Sequence, residues 1–136
     1  MLKRSGIYTL VVLLGLIVAA GAGDGPRGRW WHSPEVASKL NLTEGEIRHL
    51  EEAFEKSRSK MIPQKNRVET EQARLQALLE KRQLDEKAVN AQSRRLEEAR
   101  SALANERTAF VVEVRKIIGH ERFQQLAEMH PRSKRK

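Results

Sequence analysis

The chain contains no cysteine. Disulfides, thiolate metal sites and cysteine nucleophiles are excluded together, although the absence is compatible with any compartment. Aromatic residues are scarce, at 4% of 136 residues, against 39% hydrophobic and 32% charged. A composition poor in rings and rich in Ala, Leu, Glu, Lys and Arg favours long helices over a compact globule, and the length suits one domain. Also lacking are a Gly-rich phosphate loop, a nucleophile–base pair and clustered carboxylates in an expected pocket, so no enzymatic chemistry is expected. The many Glu and Lys residues read as solvated helix faces with i,i+4 pairing.

Long uncharged sequence occurs once. Lys3 and Arg4 precede "GIYTLVVLLGLIVAAGAG", which runs from Gly6 to Gly23 without a charge. A positive flank before an apolar run is an export signal, and it leaves the rest of the chain outside the cytoplasm. Ala20-Gly21-Ala22 has the small-residue pattern of a cleavage site, yet the run approaches the roughly 20 residues that span a bilayer. Residues 1–23 are therefore a signal peptide or an N-terminal inner-membrane anchor, with both fates open. Membrane contact is expected only through this segment, if it stays uncleaved.

Without Lys3 and Arg4, 24 basic residues stand against 18 acidic, a balance of +6. Part of it lies in the basic tail 131–136, "PRSKRK". Outside the cytoplasm such a tail suits a solvated terminus, an anionic lipid or an acidic polypeptide, and no nucleic-acid partner is expected.

Between leader and tail the chain divides into a Gly- and Pro-containing linker, 24–29, and a helical domain, 30–130. Trp30 and Trp31 are expected to pack on that domain; the alternative, with a retained anchor, is the membrane interface. Ser33-Pro34 opens a short helix, "SPEVASKL", that stops at Asn41. Thr43 and Glu46 have the spacing of a capping box, which starts a long helix. Ile47, Phe54, Met61, Val68 and Leu75 then recur every seven residues, while the companion line Leu50, Ser57, Gln64, Glu71 and Leu78 is polar across its middle. Pro63 should kink this helix without ending it, because the heptad phase runs through. Asp85 caps a second long helix, whose lines are Val89, Leu96, Leu103, Phe110 and Ile117, and Gln92, Ala99, Glu106 and Glu113. Gly119 ends or interrupts it before a short final helix.

Two long helices joined by a tight turn run antiparallel. The fold class is all-α: a long antiparallel hairpin, extending roughly 60 Å if helical from Thr43 to Gln83, with short hooked helices at each end. The seam reads as wet at its centre, and Ile62, Leu79, Val111 and Val112 have no place on it. Those residues imply a homodimer, a surface for a partner, or both.

Leu42-Thr43-Glu44-Gly45-Glu46 resembles the LTxxQ motif of the Spy/CpxP-like superfamily of periplasmic chaperones, stress proteins and heavy-metal resistance proteins, with Glu in place of Gln. Ile118-Gly119-His120-Glu121-Arg122 resembles a degenerate second copy, in which Ile, Gly and Arg replace Leu, Thr and Gln. "WWHSPEVASKL" is similar to the Trp-Trp-x-x-Pro-Glu opening of the metal-resistance branch. The resemblance spans roughly Trp30 to Met129 and implies a four-helix hooked hairpin in a cradle-shaped homodimer. On that reading Leu42, Thr43, Glu46, Ile118 and Gly119 form the caps where the chain reverses.

The superfamily's functions are ATP-independent holding of unfolded or misfolded periplasmic proteins and metal sensing or resistance. Around "LEEAFEKSR" and "FVVEVRK" the chain resembles the nickel and cobalt sensors. Phe110 and Val114 occupy the places of their His and Met ligands, Ser33 and Ala37 those of a His pair, and only Glu51 or Glu52 matches the glutamate. His49, Glu52 and His120 are the remaining candidates for zinc or another divalent transition metal, which generally requires at least three protein ligands. No cofactor is expected. The primary expectation is a client-binding chaperone whose basic, partly apolar surface includes Arg58, Ile62, Lys65, Leu79 and Arg82. Metal sensing or resistance is the alternative, and a membrane-tethered structural coiled coil is a third reading.

Overall fold

The structure, a computed structural model, describes residues 29–129. The leader, most of the linker, His130 and the basic tail lie outside the described residues. A 3-10 turn at Trp30–His32 leads to α1 (Pro34–Lys39), α2 (Glu44–Glu80) and α3 (Glu86–Met129), and there is no strand among the described residues. The chain is all-α, as its composition and periodicity indicated.

Local chemistry sets each boundary. Ser33 is extended and Pro34 takes the first position of α1, where a missing N–H is harmless. The helix ends at Leu40, and Asn41 adopts φ 50°, the left-handed conformation that Asn tolerates after a helix. The next helix, α2, runs unbroken through Pro63 to Glu80, three residues short of the expected Gln83. Ala88 N–H donates to Asp85 Oδ1 at 3.0 Å, which caps α3. Within α3, Gly119 has φ 82° and ψ 171°, so the helix ends at 118 and a further segment, 120–129, follows the break.

The described residues form two compact units. Lys56–Thr108 is the hairpin unit; the residues up to Glu55 and from Ala109 onward form the other, here the paired-end unit.

In the hairpin unit α2 and α3 pack antiparallel. Met61, Leu96, Ala99 and Leu103 are buried between them. Of the companion positions expected to be wet, Ser57, Glu71 and Gln92 are buried and Gln64 and Glu106 are half-buried, because the two lines face each other. Ser57 Oγ donates to Glu106 Oε1 at 3.5 Å. Two heptads along, Gln92 Nε2 donates to Glu71 Oε2 at 2.5 Å and to the Glu71 carbonyl at 3.0 Å. Ser57, Glu71 and Gln92 are each under a tenth exposed, so these are enclosed polar rungs in place of a solvated gap. Gln64 lies between the rungs on α2, and its Oε1 is buried without a partner among the described residues.

The paired-end unit holds the larger core: Trp30, Trp31, Leu40, Leu50, Phe110, Val111, Val114, Ile118 and Leu126. Both tryptophans are buried, which settles their place on the helical domain. They begin an edge-to-face series in which Trp31 meets Phe54 at 5.5 Å and Phe54 meets Phe110 at 6.0 Å between ring centroids. Phe123 packs against the same cluster, so every Trp and Phe of this ring-poor chain lies in one unit. Val111, expected to be off the seam, is buried here because the core in this unit is wider than a two-helix contact. Ile62, Leu79 and Val112 are exposed, as is Leu84.

The two described glycines differ in kind. A Cβ at Gly119 would meet nothing within 4 Å, but its φ of 82° with an extended ψ is a backbone region that only glycine adopts freely. Gly45 is helical, and a Cβ there would find ordinary contacts at 3.9 Å. Gly119→Ala should therefore destabilise the fold by about 1–3 kcal/mol, whereas Gly45→Ala should stabilise it by about 0.5–1 kcal/mol. Denaturant unfolding of the two variants beside the parent chain tests both signs.

Candidate functional site

The two copies of the LTxxQ-like phrase stand at helix starts. In the first, Glu46 N–H donates to Thr43 Oγ1 and Thr43 N–H donates to Glu46 Oε1, each at 3.1 Å, a complete capping box. Leu42 packs against the core. In the second copy Ile118 is buried and Gly119 takes the place of Thr43. Glycine has no side-chain acceptor, and Arg122 in the place of Glu46 has only donors, so no capping box can form.

Arg122 acts instead as a donor to other helix ends. Its Nε donates to the Ile118 carbonyl at 2.7 Å, satisfying an acceptor left open where α3 breaks. Nη1 donates to Glu46 Oε1 at 2.9 Å, Nη2 bonds Glu46 Oε2, and Nη1 also reaches toward the Leu40 carbonyl at 3.5 Å, where α1 ends. The two residues that replace the motif glutamines are thus of opposite charge and joined by a two-toothed ion pair. Their side chains are 27% and 20% exposed, sheltered enough for that pair to outlast solvent screening. The hydrogen bond from Arg122, opposed by burial and reinforced by Thr43, lowers the Glu46 pKa from 4.5 to about 2. The same partner raises that of Arg122.

A second charged cluster lies in the same unit. Glu51 Oε2 accepts from Trp31 Nε1 at 2.9 Å and contacts His32 Nε2 at 2.8 Å. Glu51 Oε1 is 3.2 Å from Arg29, which also bonds Glu55 at 2.5 Å and lies 5.1 Å over the Phe54 ring. Burial pushes the Glu51 carboxyl up, but the bonds from Trp31 and His32 and the Arg29 charge prevail and lower it. Its neighbours therefore hold Glu51 as a carboxylate, with a guanidinium beside it.

These surroundings do not fit the metal site of the related sensors. Phe110 and Val114, at the His and Met places, are core residues, and Glu51 is engaged by Arg29, Trp31 and His32. His49, Glu52 and His120 are each exposed. Among the described residues no three His, Cys, Asp or Glu gather in a way that could hold a metal ion.

The surface residues singled out from sequence all lie in the hairpin unit. Arg58 is half-buried; Ile62, Lys65 and Leu79 are exposed on α2; Arg82 is exposed in the turn before Asp85. From Arg58 to Leu79 the four helical members span an arc of about 100°, so they share one side of α2. The Arg29–Glu51–Glu55 cluster was not singled out, since Arg29 reads as linker. The pairing of Glu46 with Arg122 was missed too, although opposite charges at the same place in two motif copies were a usable signal.

Arg122→Ala should cost about 1.5–3 kcal/mol, the range for hydrogen bonds to a charged group. Because the folded state depresses the Glu46 pKa, its stabilisation is complete above 4.5 and is lost as pH falls from 4.5 through about 2. Unfolding free energy measured across that window should fall more gently in Glu46→Gln than in the parent chain. Parallel acid limbs would refute the assignment.

Comparison with curated proteins and with solved structures gives no match. The family model for heavy-metal resistance proteins matches residues 8–125, most of the chain. With its paired motif copies and helical hairpin, the chain belongs to the heavy-metal resistance family, within the Spy/CpxP-like LTxxQ superfamily.

Proposed function

We propose that this protein is an ATP-independent periplasmic chaperone or stress-response protein that holds unfolded proteins on one side of α2. The observation that carries the reading is the combination of exposed Ile62 and Leu79 with Arg58 and Lys65 on a shared arc. Family members are periplasmic, which supports that location for this chain. The basic residues attract an acidic unfolded segment over distance, and the apolar ones hold it by modest burial. Weak individual contacts suit a holder that releases its client without ATP. The protein performs no catalysis on this reading.

Heavy-metal resistance is the second reading, favoured by the family match itself. It requires a donor set other than the one in the related sensors. Added zinc or nickel should leave the melting temperature unchanged in a chaperone and raise it in a metal binder.

Suppression of aggregation of an unfolded model protein tests the first reading. Charge reversal of Arg58 and Lys65 should slow capture several-fold, and so should added salt, since screening shortens to about 8 Å at physiological ionic strength. Ile62→Ser should instead speed release. Capture indifferent to both salt and charge reversal would reject steering.

The narrow seam and the exposed Ile62, Leu79, Leu84 and Val112 support a homodimer. Sedimentation at micromolar concentration should give twice the monomer mass, and a monomer throughout that range would reject the dimer.

A further inference from the structure

The opposite side of α2 carries a different surface. Lys56, Lys60, Arg67 and Arg74 are all exposed. At 100° per residue they fall within an arc of about 40° and extend roughly 27 Å along the helix axis. That arc lies opposite the one that holds Arg58, Ile62 and Lys65. Within residues 56–74 of α2 the acidic side chain nearest this arc, Glu71, is buried against Gln92 and bonds only Arg74 of the four, at 3.1 Å, while the exposed Glu52 stands one turn before Lys56 and about 40° from it. Lys56, Lys60 and Arg67 have no carboxylate within ion-pair distance among the described residues. None of the exposed large hydrophobic residues lies on the stripe.

On α3, Arg95 precedes Leu96 as Arg67 precedes Val68 on α2. The antiparallel register fixed by Glu71 and Gln92 sets these on the same flank of the seam, so a further exposed cation joins the stripe. Coiled-coil flanks ordinarily carry opposite charges that stabilise the pairing. Here the exposed row on α2 carries only cations and Arg95 adds to it, with Glu98 three residues further along α3, so the positive field of the row is left for something outside the hairpin.

We propose that this stripe docks the hairpin unit on the anionic phospholipid headgroups of a membrane surface. A straight, one-sided row of cations without exposed apolar residues matches a plane of phosphates. It does not match an unfolded polypeptide, which needs apolar contact as well as charge. Each exposed Lys or Arg is drawn only weakly to an anionic surface, so four or five together give a weak, salt-sensitive association. The sequence also supplies means of proximity in the uncharged run from Gly6 to Gly23 and the basic "PRSKRK". Docking by the stripe turns Arg58, Ile62 and Lys65 away from the lipid, toward arriving chains. The docking proposal does not depend on the chaperone reading, which the aggregation assay decides separately.

Three lysines give the test an internal control. The full chain is reconstituted in vesicles of phosphatidylcholine alone or mixed with phosphatidylglycerol, and acetylation of Lys56, Lys60 and Lys65 is followed by mass spectrometry. Phosphatidylglycerol should lower the acetylation rate of Lys56 and Lys60 several-fold and leave Lys65 unchanged; high salt should reverse the protection. Arg67→Glu with Arg74→Glu should abolish it while the helical circular-dichroism signal persists. If that variant does not fold, the lipid comparison in the parent chain decides alone. Equal labelling in both vesicles, or equal protection of all three lysines, overturns the proposal. Protection of Lys56 and Lys60 by soluble polyglutamate and not by phosphatidylglycerol also overturns it, and assigns the stripe to acidic protein.

Discussion

Arg122 bonds groups that helices cannot satisfy by themselves. Every helix leaves carbonyls open at its end and N–H groups open at its start. The Ile118 carbonyl closes the main run of α3, the Leu40 carbonyl closes α1, and Glu46 belongs to the box that starts α2. One planar guanidinium with five donors addresses all of them, which a lysine's single ammonium could not do in the same geometry. The ion pair also explains why the two motif copies differ. A Glu at both places would set two carboxylates against each other, and an Arg at both would remove the acceptor that Thr43 uses. The opposite charges make two weak motifs into one joint.

The two units solve the problem of a ring-poor composition in different ways. The paired-end unit gathers every tryptophan and phenylalanine of the chain and fixes helix ends around them. In the hairpin unit the seam alternates aliphatic layers with the polar rungs Ser57–Glu106 and Glu71–Gln92. Such rungs contribute less than apolar layers but penalise any shift of register, since a slip would bury a carboxylate against leucine. The hairpin unit therefore has a defined alignment and a thin core. It also bears the exposed Ile62 and Leu79 and the two basic arcs of α2, so the surfaces proposed for partners lie on the unit that buries less.

Much of this was legible in the sequence. The seven-residue lines located both long helices, and Thr43, Asp85 and Gly119 marked their starts or breaks, because these signals depend on residues close in the chain. Facing polar residues were not legible in the same way: Ser57 reads as exposed until the partner helix puts Glu106 opposite it. Arg29 was read as linker because its partners Glu51 and Glu55 lie more than twenty residues on. Val111 was left without a place because a heptad describes a two-helix seam, and the paired-end core has several helical walls. The departure from the sensors' ligand set was legible at single positions, Phe110 and Val114, where the sequence lacks the donors and the core explains what stands there instead.

The confinement of both tryptophans to the paired-end unit determines what light can report about this molecule. Indole emission follows the burial of Trp30 and Trp31 and carries no signal from residues 56–108, which contain neither Trp nor Tyr. Far-ultraviolet dichroism weights all helical residues alike, and so weights the hairpin unit heavily. Coincident unfolding curves from the two probes would mean that the units melt as one cooperative body; separated curves would mean that each has its own stability. The uneven placement of a few rings thus gives the protein an internal fluorescent reporter for one unit and leaves the other silent in emission.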